Sequence, residues 1–154
     1  MVYEPLVFFS YVSEDGKRVR AYREYLEGYK FKVWMSGDSI AAGSVWTDEI
    51  DQNIRVADHV VIFLSNQIRF KPPDSYYLRE RALALEMSAF KPPGYLIPVC
   101  LEKCRIPEEI ERLHLQHLDI RRYRIHDIGK LVERISISTG PCGRWKRINA
   151  EPRT

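Results

Sequence analysis

The sequence predicts an α/β fold, a parallel sheet covered by helices on both faces. Three observations predict it. Short apolar runs without alternation recur along the chain, as strands buried on both faces require. Between them lie stretches whose apolar residues return every three or four positions, as crossover helices require. Turn-forming residues mark each change of period.

Taken in order, residues 6–11 are the first apolar run, closing on Ser10 and Tyr11. Ser13, Glu14, Asp15 and Gly16 break it. Val19, Tyr22, Leu26 and Tyr29 then recur at helical spacing, with charges between them and Gly28 near the end. Residues 31–35 make a second strand, and residues 36–43 a long polar loop bounded by glycine. Trp46, Ile50 and Ile54 set a second helix. Residues 59–64 are a third strand, almost unbroken Val, Ile, Phe and Leu, ended by Ser65, Asn66 and Gln67. A basic stretch through Pro72 and Pro73 leads to a third helix near Ser75, which Asp74 or Ser75 can cap. Its inward row is Leu83, Met87 and Phe90, and it stops before Pro92 and Pro93. Residues 95–101 are a fourth strand. Pro107 opens a short helix as a first-turn proline and carries it to Leu113. Residues 117–120 form a short fifth strand, and Ile128, Leu131, Val132 and Ile135 mark a last helix.

Five such alternations favour right-handed crossovers and a flavodoxin-like three-layer sandwich. The expected sheet is five-stranded and parallel, in the order 2-1-3-4-5. The 154 residues suit one domain, and 45% hydrophobic content is enough to bury a core. No apolar run approaches the roughly 20 residues needed to cross a bilayer. The start of the chain has no basic region or cleavage pattern, so no signal peptide is expected. Four basic residues (Arg144, Lys146, Arg147 and Arg153) against Glu151 give the last stretch a charge equal to the chain's net +3, leaving the body neutral. The division is therefore a domain over residues 1–138 and a basic tail or linker over 139–154. A solvated tail accounts for that charge better than nucleic-acid contact does.

Cys100, Cys104 and Cys142 are an odd set, which fits a reducing cytoplasm rather than a disulfide framework. Cys100 and Cys104 with His114 and His117 loosely resemble zinc ligands. Cys100 closes a strand, however, and the gap to the histidines is shorter than in the usual finger, so no metal is expected.

In sheets of this order, ligands bind beyond the carboxyl ends of the strands, near the switch point between the first and third. Ser10, Tyr11, Trp34, Ser36, Ser65 and Asn66 fall at those ends. The third helix starts on the same rim and carries Tyr76 and Glu80 on one face, four residues apart. A ring beside a carboxylate can stack a base or pyridine and hold a sugar's hydroxyls.

The same residues resemble Toll/interleukin-1 receptor (TIR) domains of bacterial type. Phe8, Phe9, Ser10 and Tyr11 before an acidic turn resemble that family's opening motif. Val33, Trp34 and Met35 followed by Asp38, Ser39, Ile40, Ala41, Ala42 and Gly43 resemble its second strand and BB loop. Trp46, Glu49 and Ile50 fit the next helix, and Leu96, Ile97, Pro98 and Val99 the fourth strand. Tyr76 and Glu80 fit its aromatic-x-x-x-Glu pattern, with Tyr where Trp is common. The similarity runs in order from about Val7 to Ile137.

The resemblance implies either cleavage of NAD+ at the nicotinamide–ribose bond or signalling by TIR–TIR assembly without catalysis. In the first case Glu80 is the catalytic carboxylate. Tyr76 walls the reacting ribose, and Ser10 and Tyr11 meet the nucleotide. Asp38, Ile40 and Gly43 belong to the loop, with Trp34, Ser36 and Trp46 around it; the two tryptophans also read as half core. NAD+ is then a substrate, and no cofactor is expected. The products are nicotinamide with ADP-ribose or a cyclised form. Self-association, a sensor domain or partner protein, and a role in bacterial antiviral defence complete the expectation. Two other activities of this fold fit less well. A phospho-acceptor receiver needs an Asp where the third strand ends in Leu64, Ser65 and Asn66. For a nucleoside deoxyribosyltransferase, the loop and the order of motifs are wrong.

Overall fold

The computed structural model of the chain describes residues 4–35, 48–73, 75–92, 94–113 and 118–119. The parallel strands β1 (Leu6–Ser10), β2 (Lys32–Met35), β3 (His59–Leu64) and β4 (Leu96–Cys100) stand in the order β2-β1-β3-β4. A two-residue β5, Leu118–Asp119, pairs in parallel with Val99 and Cys100 at the far edge. Four helices are described: α1 (Gly16–Gly28), α2 (Asp48–Val56), α3 (Tyr76–Ser88) and α4 (Glu108–Glu111). The last predicted helix, around Ile128 to Ile135, and the basic tail lie outside the described residues. No described helix is long and apolar enough to cross a membrane.

Side chains on a strand alternate between faces, so each strand feeds two cores. Val7, Phe9, Val61 and Phe63 pack on one face against Val19, Tyr22 and Leu26 of α1. There the Phe63 ring meets Phe9 edge-on at 4.9 Å and stacks on Tyr22 at 5.7 Å. Phe8, Val60, Ile62 and Leu64 pack on the other face against Ile50 and Ile54 of α2, Tyr77 and Ala84 of α3 and Ile110 of α4. Each large apolar side chain so buried contributes about 1.5–3 kcal/mol from removal of its surface from water.

The end of α1 is set by hydrogen bonding rather than by its glycine. Phe31 N donates to Leu26 O at 3.3 Å and Lys30 N to Glu27 O at 3.0 Å, the paired bonds of a Schellman motif. That motif puts the residue after the cap in the left-handed region. Lys30 takes the position, with φ 67°, while Gly28 ends the helix proper.

Two expectations are corrected, and one turn is added. Phe90 does not pack inward but is 80% exposed. Its N–H bonds to Met87 O at 2.9 Å, a tighter turn that rotates it off the inward row of α3. Pro107 caps α4 with extended backbone (ψ 140°) instead of occupying its first turn. After β3, Asn66–Phe70 coil into a 3-10 turn in which Ser65 Oγ accepts from Gln67 N at 3.3 Å.

Candidate functional site

Ser10 is the last residue of β1 and shares a sheet face with Phe8, so its side chain points towards α3. The start of α3 is fixed by its cap: Ser75 Oγ accepts from Leu78 N at 3.4 Å. One turn later Glu80 reaches back to the sheet, where Ser10 Oγ donates to its Oε1 at 2.9 Å. Glu80 is 1% exposed and Ser10 fully buried. Tyr77 locks the same turn to β3, donating from Oη to Phe63 O at 2.9 Å. Burial pushes the Tyr77 phenol above its ordinary range, so it stays a neutral donor.

Two aromatic residues share this side of the sheet. Tyr76 is half-buried against the α2–α3 core. Trp34, also half-buried, stacks on Phe8 with centroids 5.0 Å apart. Ser10, Trp34, Tyr76 and Glu80 thus lie in one layer. Tyr11 does not join them: it turns to the opposite layer and packs in the α1 core, close over Gly16. Ser36, Asp38, Ile40, Gly43 and Trp46 lie outside the described residues. Of the loosely zinc-like set, Cys100 is buried in the α2–α3 core and Cys104 packs at its border, while His114 and His117 also lie outside the described residues.

Sequence reasoning missed the polar clasp along the rim. Asp15, which the sequence presents as a turn residue, is 2% exposed. It pairs with Arg18 at 2.7 Å and accepts from Ser65 Oγ. Arg18 also reaches Glu102 at 2.9 Å, and Glu102 Oε2 accepts from Asn66 Nδ2 at 2.6 Å. The loops after β1, β3 and β4 are joined in this way. Burial pushes the Glu102 carboxyl up, but Arg18 and Asn66 outweigh it and hold the group below the usual range. Only the acidic turn of residues 13–16 hinted at this role.

Chemically, a carboxylate held in dry surroundings acts strongly on a nearby positive charge, because little water screens it. A half-exposed tyrosine and tryptophan in the same layer provide flat apolar surface for a ring.

A family model for the TIR domain matches residues 7–132. The chain belongs to the TIR domain family. The crystal structure of a prokaryotic SEFIR domain superposes on this TIR domain with a TM-score of 0.55 at 16% identity, over 96% of this chain and 100% of the other. At that identity the likeness speaks for the fold. Comparison with curated proteins gives no match.

Proposed function

We propose that this TIR domain cleaves NAD+ at the nicotinamide–ribose bond, with Glu80 as its catalytic carboxylate. The supporting observation is the placement of Glu80, buried at the carboxyl end of β1 and held by the neutral hydroxyl of Ser10. Nicotinamide leaves NAD+ as a neutral molecule and needs no proton. What rises in energy is the ribose, which gains oxocarbenium character as the bond breaks. A single carboxylate opposes that charge and accepts from the ribose hydroxyls. Ser10 orients it, Tyr76 and Trp34 line the approach, and Tyr11 braces the end of β1 from the other layer. Asp38, Ile40, Gly43, Ser36 and Trp46 supply the loop side. Water or a group of the substrate itself then takes the ribosyl cation, giving ADP-ribose or a cyclic product.

The same burial supports a second reading. In a non-catalytic TIR scaffold that signals through TIR–TIR contacts, the Ser10–Glu80 bond is a staple between β1 and α3. As an enzyme, the domain serves as a cytoplasmic effector of bacterial antiviral defence, switched on by self-association under a sensor domain or partner protein.

Chromatography of concentrated protein incubated with NAD+ separates the two. The expected result is release of nicotinamide by the wild type and a fall of about 100-fold or more in Glu80→Gln. Glu80→Gln is isosteric and should keep its circular dichroism and melting behaviour. Equal turnover by both proteins would remove Glu80 from the chemistry, and no turnover by tethered copies would leave the scaffold.

A further inference from the structure

The turn of α3 that presents Glu80 to β1 presents its neighbour, Arg81, to the opposite flank. Successive helical residues project about 100° apart, so the two side chains serve different surroundings. Arg81 is 8% exposed. Its Nη2 reaches Glu109 Oε1 of α4 at 3.2 Å, and the Glu109 side chain is 53% exposed. Its Nη1 is buried without a hydrogen-bond partner. The Tyr77 ring, 5.6 Å from the guanidinium carbon, holds the group in place without satisfying that nitrogen. Burying a guanidinium is costly unless its donors are matched. A long bond to a half-solvated carboxylate and a contact with the Tyr77 hydroxyl leave part of a planar fork of five N–H groups unmatched.

Arg81 also borders open space. A groove of about 400 Å³ opens here between the 3-10 turn after β3 and the segment that leads into α4. Asn66, Arg69, Arg81, Cys104, Arg105 and Pro107 line it. Arg69 and Arg105 are exposed, so three guanidiniums of different depth border one cavity. Glu109 is the acid paired with Arg81, and Glu102 is engaged by Arg18 and Asn66.

We propose that this groove is an anion site for a small phosphate-bearing molecule of nucleotide size, separate from Glu80. A dianion suits three cations better than a carboxylate does, and guanidinium forks bind phosphate oxygens two at a time. Arg81 forms the preset floor of the site. Arg69 and Arg105 attract the ligand at the mouth. Glu109 competes for Arg81 and is displaced when phosphate arrives. The volume admits a mononucleotide or sugar phosphate, in the range of ordinary small-molecule pockets.

Calorimetric titration of the whole chain with inorganic pyrophosphate, and separately with AMP, tests this at constant ionic strength. Pyrophosphate should bind, and Arg81→Gln should weaken it about tenfold or more. Because Arg81 is buried and its loss could unfold the domain, the surface pair Arg69→Ser with Arg105→Ser provides the second arm, with a similar loss expected. Glu109→Gln should tighten binding several-fold by freeing Arg81, an effect that a purely structural arginine would not show. Glu80→Gln should leave the affinity within twofold. AMP binding tighter than pyrophosphate, with the same loss in the double serine variant, would assign the ligand as a nucleotide; equal binding would assign phosphate recognition alone, and both support the site. Absence of binding by either probe, unchanged affinity in the double serine variant, or equal loss in Glu80→Gln would overturn it.

Discussion

Burial decides what His59 can do. The ring is 2% exposed, and its Nδ1 lies 2.8 Å from Gly94 O, so Nδ1 carries the proton and donates. Gly94 aims that carbonyl from φ 94°, a conformation that costs a side-chain-bearing residue about 1–2 kcal/mol. Desolvation pulls the imidazole below its ordinary 6.5, and the Gly94 carbonyl and Asp58 offset this only in part. Near pH 6.5 the unfolded chain therefore takes up a proton that the folded chain refuses. Stability rises with pH across that window and is lost as the pH falls below 6.5. His59→Asn keeps a donor for Gly94 without the titration. Its melting temperature should change less between pH 7 and pH 5 than the wild type's, as thermal denaturation at the two pH values would show. The sequence placed His59 at the mouth of a strand and Gly94 in a breaker, but a contact spanning 35 positions leaves no local trace. Glu80 was legible for the opposite reason. Its spacing from Tyr76 is local, and the helix start fixed which rim it would reach.

Among the described residues, the non-glycine residue with positive φ lies just past the end of α1. Lys30 holds the left-handed position of the Schellman motif, where a Cβ is crowded. Lys30→Gly relieves that crowding while keeping both capping bonds, against some added freedom in the unfolded chain. The expected outcome is a gain of about 0.5–1 kcal/mol, measured by urea denaturation with an unchanged m-value. A loss of stability would mean that the lysine side chain itself supports the turn. Periodicity located α1 and α2, because one buried face repeats over many residues, while an unbroken apolar run marked β3 and a capping residue the start of α3. It failed at Phe90, where the chain had already left the helix, and could not foresee the 3-10 turn at Asn66–Phe70, which repeats too few residues to leave a period. It was equally silent about Arg81, since only the packed α4 shows which flank that residue faces.

Across the whole molecule, strand order followed from alternation and from the handedness of crossovers. The clasp at the rim did not, because its bonds join residues 50 and 84 positions apart. Asp15, Arg18, Ser65, Asn66 and Glu102 tie three loops at the edge where ligands bind in such sheets. The folded Glu102 titrates below its ordinary 4.5, so its stabilising effect is present above that pH and is lost as acid carries the protein through the lower folded value. This window opens at 4.5, below the 6.5 at which that of His59 opens, so the two begin at different points of an acid titration. Glu102→Gln should flatten the decline of the melting temperature below pH 4.5 and leave the slope between pH 5 and 7 unchanged. An altered slope in the upper range would tie the clasp to His59 instead.

One rigid turn of α3, pinned to β3 by Tyr77, carries an acid on its left hand and a base on its right. Neither can travel alone. A roll of that cylinder would shift both side chains together, since they stand one residue apart on it.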